Sequence, residues 1–217
     1  MSVYDSTAMR MAPATGDIIA LRYSDPDIYM RAIEWATKGI THHDELIVET
    51  CGLLFCADAK SPHMELIPLS DRLDQVASGK IKIAIMRPSA VMKMQQDEYN
   101  LWQARVYGAT LAMADMDVPY DWPSIFSQGW NAIASALPYK LGDRLKNSEH
   151  KIYCTESVDL AWTIGGKNPL REKLTPQKFL APVHVERLWK SADLIVIRDY
   201  GLETLLASRW GDKVISS

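Results

Sequence analysis

Hydrophobic positions follow two periods along this chain, and together they predict a mixed architecture. Short aliphatic runs of strand length occupy residues 17–22, 45–50, 53–57, 65–68, 81–86 and 194–198. Gly52 separates the second run from the third, so these two are expected to form a hairpin. The run at 81–86 loses its alternation and becomes continuously apolar, which is what a strand covered on both faces requires. Helical spacing appears between the runs. Asp25-Pro26 supplies a start for a helix through Lys38, closed at Gly39, with Tyr29, Ala32, Ile33 and Ala36 on one face and Trp35 flanking it. Pro88-Ser89 opens a long helix to about Met113, carrying Val91, Met94, Tyr99, Trp102, Val106 and Leu111 near helical spacing. Residues 183–189 read as a short segment and 202–210 as a short helix. No repeat or linker interrupts the pattern, so a single α+β domain over 1–217, with its core at about 16–200, is expected.

One helix begins on a cysteine. In Tyr153-Cys154-Thr155-Glu156-Ser157-Val158, a polar approach turns amphipathic, with Val158, Ala161 and Trp162 at i, i+3 and i+4. Leu160 and Ile164 widen the stripe, and Gly165-Gly166 ends it. Free N–H groups at a helix start favour a thiolate, which is the nucleophilic form. The bland alternative is small core filling, a common use of free cysteine. A base for the thiol is available far upstream, in Thr41-His42-His43-Asp44-Glu45-Leu46-Ile47-Val48-Glu49. Read as a strand, this places His43, Glu45, Ile47 and Glu49 on one face and His42, Asp44, Leu46 and Val48 on the other. Either histidine at such a strand start can point into a cleft, or both can be exposed loop residues.

Composition narrows the function. The chain is 47% hydrophobic and 24% charged with a net charge of −3, an ordinary globular balance without the basic surplus of a nucleic-acid binder. No aliphatic run approaches the ~20 residues of a membrane span. Residues 1–15 have no cationic start followed by an apolar core, so no secretory signal is read and a cytoplasmic protein is expected; export or a phage-associated role stays open. Cys51, Cys56 and Cys154 give an odd count, best read as reduced thiols, although a Cys51–Cys56 bridge across a turn is an alternative. Their spacing is wrong for a zinc ribbon even with His63 nearby, so neither metal nor cofactor is expected.

The order of these pieces resembles the circularly permuted branch of the NlpC-type, papain-like cysteine peptidases and amidases, the YiiX/YebB-like group. The likeness rests on Gly16-Asp17-Ile18-Ile19-Ala20-Leu21-Arg22, on the helix at 32–37 followed by the strand at 41–48, and on Val118-Pro119-Tyr120-Asp121-Trp122. Tyr153-Cys154-Thr155-Glu156-Ser157-Val158 and Leu174-Thr175-Pro176 complete it, so that it spans roughly 16–180 with histidine before cysteine. The resemblance implies a papain-like antiparallel sheet packed against helices, with the cysteine at a helix N-terminus. It also implies Cys154 as nucleophile and His43, rather than His42, as base. The third, orienting residue falls on Asp58, with Glu45 and Glu49 as alternatives; Tyr120 and Glu45 are placed toward substrate. The implied activity is hydrolysis of an amide or acyl bond, with a peptide or acyl substrate such as peptidoglycan peptides. A lipid acyltransferase or thioesterase, distantly similar to lecithin retinol acyltransferase, is one alternative, and a non-catalytic binding or structural protein on the same fold is another. Residues 119–150 are expected to wrap the cleft, with 140–151 as a lid before the nucleophile.

Overall fold

In the computed structural model, described over residues 11–59, 63–115, 154–170 and 182–211, the chain is α+β. In chain order the elements are β1 (Ile18–Tyr23), α1 (Ile28–Thr37), β2 (His43–Thr50), β3 (Leu53–Ala59), β4 (Met64–Pro68), α2 (Leu69–Ala77), β5 (Ile81–Pro88), α3 (Ser89–Met92), α4 (Gln96–Asp115), α5 (Cys154–Gly165), α6 (Pro182–Lys190), β6 (Leu194–Tyr200) and α7 (Glu203–Trp210). The strands form one six-stranded sheet in the order β4-β3-β2-β1-β5-β6, every neighbouring pair antiparallel.

Both faces of this sheet are covered, which explains the continuous apolar runs. On one face Ile18, Ala20, Leu46, Ala84 and Met86 pack against Trp102 and Val106 of α4, Val158 and Trp162 of α5, and Trp189 of α6. On the other, Ile19, Leu21, Ile47, Cys56, Ile83 and Ile85 pack against Leu69, Leu73 and Val76 of α2. Alternate residues of a strand point opposite ways, so β1 and β5 need apolar side chains at successive positions. The β2–β3 hairpin turns through Cys51 and Gly52 at φ 53° and 75°, the pair of positive values that a type I′ turn demands and that suits the sheet's twist. Where β1 begins, Asp17 and Arg87 form a fully buried ion pair, Nε to Oδ1 at 2.6 Å, with the guanidinium over the Tyr99 ring.

Several expectations are corrected. The first helix is capped by Asp27, whose side chain accepts from the Met30 N–H, and ends at Lys38 in the left-handed region instead of at Gly39. The side chains of Tyr29, Ala32, Ile33 and Ala36 lie outside the described residues. The single helix expected from Pro88 is two, α3 and α4. The break at 93–95 is stabilised by Glu98, whose carboxylate accepts from the Gln95 N–H at 3.2 Å and so starts a new helix. On α5 the buried stripe is Val158, Ala161 and Trp162, whereas Leu160 and Ile164 are exposed. The helix α2 was not anticipated. All three cysteines are free thiols, so no Cys51–Cys56 bridge exists.

Candidate active site

The site is assembled at the start of β2, where hairpin register and one helix on each side of the sheet meet. Ile47 of β2 lies opposite Cys56 of β3. Moving two residues along each antiparallel strand keeps the same face and brings Glu45 opposite Asp58; two more along β2 reach His43. The His43 ring meets Asp58 there, Nε2 to Oδ1 at 2.6 Å, while Glu45 Oε1 stands 3.8 Å from the same nitrogen. With Nε2 held by a carboxylate, Nδ1 is the ring nitrogen left for the sulfur.

That sulfur comes from the opposite side of the sheet. Cys154 opens α5, whose Val158, Ala161 and Trp162 are packed into the core and whose Trp162 indole donates to the Gly16 carbonyl at 2.9 Å. Thr155, next to the cysteine, donates its hydroxyl to Asp44, next to the histidine, at 2.7 Å. This buried bond ties the helix start to the strand start. Cys154 is thereby brought close enough to the His43 ring to act on its charge. Burial disfavours the charged ring, but the charge and hydrogen bonds of Cys154 and Asp58 outweigh it and hold His43 well above its ordinary range.

His42 has a different task. Its Nδ1 accepts the Tyr23 N–H at 3.0 Å, which leaves Nε2 as the protonated nitrogen, 2.8 Å from Glu34 Oε1. Burial lowers its pKa, so it is a neutral ring that fastens β1 to α1. The segment between α1 and β2 is pinned from α6 as well. Glu186 Oε1 accepts from the N–H groups of Ile40 and Thr41 at 2.7 and 2.6 Å, and its Oε2 accepts from Trp210 of α7.

Sequence reasoning missed Arg72. It projects from α2 onto the His43 face of the sheet, where Nε donates to Glu45 Oε2 at 3.0 Å, and Nη2 donates to Glu45 Oε1 at 2.5 Å and to Asp58 Oδ2 at 2.6 Å. Leu69, Leu73 and Val76, at spacings of four and three after Pro68, are the amphipathic signal that would have placed this helix. Glu45 is fully buried beneath Arg72, so it has no surface to offer a substrate. Burial raises its carboxyl and Asp58 adds to this, while His43 and Arg72 oppose. Glu49 is exposed and lies further along β2. Tyr120 and the expected cleft and lid at 119–151 lie outside the described residues.

Two further chemistries have their residues here. Cys56, also beneath Glu45, is pushed far up by burial and is an inert core thiol. The potential ligand atoms of His43, Glu45 and Asp58 lie within 4.8 Å of one another, a grouping that could surround a metal ion. No spacing rule reveals it, because the hairpin register creates it.

No family model matches the chain, and no curated protein matches it significantly. Among solved structures it is similar to the metalloprotein YiiX of Escherichia coli O157:H7, assigned to DUF1105. The two share 17% identity over 92% of this chain and 83% of that one, with a TM-score of 0.51. At that identity the likeness is one of architecture, and the chain has a YiiX-like α+β fold.

Proposed function

We propose that the chain is a cysteine hydrolase on a papain-like, permuted NlpC-type fold, cleaving an amide or other acyl bond, with cell-wall peptides as the substrate class suggested by the motif resemblance. One observation carries this reading: His43 is joined through Nε2 to Asp58 Oδ1 at 2.6 Å, and Cys154 is near enough to raise the ring's pKa. Nucleophile, base and orienting carboxylate are the parts that acyl transfer needs.

In the reaction, the Cys154 sulfur bonds to the carbonyl carbon as the C=O π pair moves onto oxygen, where backbone N–H groups at the start of α5 can receive it. Collapse breaks the bond to the leaving amine or alkoxide, which takes the His43 proton. Water then gives its proton back to His43 and adds to the thioester; the sulfur leaves as thiolate and the product as a carboxylic acid. Asp58 keeps the Nε2–H pointed at itself, so that Nδ1 faces the sulfur throughout. YiiX is a metalloprotein, but the Arg72 guanidinium already occupies both oxygens of Glu45 and one of Asp58. The His43, Glu45 and Asp58 side chains therefore do not fit a bound ion in this arrangement, and no step runs through one.

A second reading, a binding or structural protein on the same fold, has in its favour that Cys154 is only 6% exposed. Iodoacetamide alkylation of Cys154 across pH 5–9 separates the two. A free thiol slows by about two powers of ten between pH 8 and 6, whereas a thiolate–imidazolium pair keeps its rate. His43→Ala should restore the steep fall and His42→Gln should not. A steep profile in the unsubstituted chain would end the hydrolase reading.

A further inference from the structure

We propose that Arg72 is the resident cation of this site: its guanidinium fills the place among His43, Glu45 and Asp58 that a divalent ion would otherwise take. The ligand atoms of the three residues lie within 4.8 Å of one another, and His43 Nε2 is 2.6 Å from Asp58 Oδ1 and 3.8 Å from Glu45 Oε1. Ligands around a tetrahedral zinc sit about 3.4 Å apart, so these atoms need little movement to meet one ion. Two carboxylates this deeply buried, Glu45 at 0% and Asp58 at 3% exposure, need a positive partner wherever they ionise together. Arg72, itself 5% exposed, supplies that charge with a fork, two nitrogens on Glu45 and one of them shared with Asp58.

A side chain in this role differs from a metal in what it leaves free. Arg72 takes Asp58 Oδ2 and leaves Oδ1 to His43. An ion ligated by His43 would instead consume the ring nitrogen that Asp58 orients, and it would have to displace a fixed positive charge to enter. The chain thus has the ligand set of a metal centre and closes it with an arginine from α2, which makes Arg72 a positioning residue for Asp58 and, through it, for His43.

Cobalt(II) titration of the full chain, followed by visible d–d absorption, tests this. The unsubstituted protein should show no His43-dependent cobalt site up to about 1 mM. Arg72→Ala should gain one site per chain at least 100-fold tighter, lost again in Arg72→Ala/His43→Ala. Arg72→Gln, which keeps an amide donor for Glu45 without the charge, is measured in parallel and decides the matter if the alanine variant does not fold. Cobalt bound by the unsubstituted protein and released on His43→Ala would overturn the proposal, as would neutral Arg72 variants that fold without gaining a site. Metal uptake is read independently of Cys154 alkylation, so failure here and failure of the hydrolase reading are told apart.

Discussion

Replacing Asp44 by Asn should change stability in opposite directions at low and high pH. Asp44 is fully buried; its Oδ2 accepts the Thr155 hydroxyl at 2.7 Å, and Oδ1 has no hydrogen-bond partner among the described residues. Burial raises the carboxyl to about 7, against a lowering by the Thr155 bond and by His43, with Glu186 and Glu45 adding to the rise. The unfolded chain releases this proton near 3.8, while the folded chain holds it until about 7. A raised carboxyl contributes stability that is complete below the unfolded value and is lost as pH climbs to the folded one. Roughly three units at 1.36 kcal/mol each make that loss about 4 kcal/mol.

Asn at this position has no such dependence. Its carbonyl can still accept from Thr155, but its NH2 then occupies the unpartnered place, at a cost of about 1–3 kcal/mol. At pH 4, where Asp44 is largely protonated in the fold, Asp44→Asn should lower stability by about that amount. At pH 8 the relief of about 4 kcal/mol exceeds the cost, and the variant should be more stable by about 1–3 kcal/mol. Urea unfolding of both chains at pH 4, 6 and 8, followed by tryptophan fluorescence, measures the crossing. A difference between the two proteins that stays constant within about 1 kcal/mol from pH 4 to 8 would refute the reasoning.

Gly165→Ala would set a Cβ 2.8 Å from Val106 Cγ2 and 2.9 Å from Trp102 Nε1, wedging α5 off α4; a loss of about 1–3 kcal/mol in denaturant unfolding is expected. Arg87→Met strands the buried Asp17 carboxylate, which is raised by burial to about 6 even with its partner present. The expected loss is about 3–5 kcal/mol at pH 8 and clearly less at pH 5, where the carboxyl is already protonated; melting temperatures at the two values check it. Asp58→Asn keeps a hydrogen bond to His43 but removes the charge, so the His43 ring protons should titrate at lower pH in NMR than in the unsubstituted chain, with an unchanged midpoint counting against the pairing.

Much of the fold was legible because burial on two faces leaves a strong mark. The unbroken apolar stretches of β1 and β5, the Gly52 turn and the stripe on α5 each follow from local sequence. Boundaries were less legible where side chains override composition. Asp27 rather than Asp25 caps α1, and Glu98 restarts a helix that hydrophobic spacing alone would run on. At the site, Cys154 and the His42-His43 pair could be proposed from type and position, while the choice of His43 and of Asp58, with Glu45 and Glu49 as alternatives, came only with the family resemblance. Arg72 could not, because nothing in its neighbourhood along the chain refers to Glu45 or Asp58; their relation exists only once α2 lies across β2 and β3.

Charge balance shows why such a residue had to exist somewhere. The strand start presents Glu45 on the same face as His43, and β3 adds Asp58 beside it, all in low exposure. Without a cation the two carboxylates would share a proton, and Asp58 could then hold the imidazole only as a neutral acceptor, weaker by the difference between a charged and an uncharged hydrogen bond. Arg72 opposes that outcome by taking Asp58 Oδ2, which leaves the charged Oδ1 with His43 Nε2. A buried histidine followed two residues later by a glutamate on one strand face is thus itself a signal. It asks for a positive partner from whichever helix covers that face, and on this chain that helix is α2.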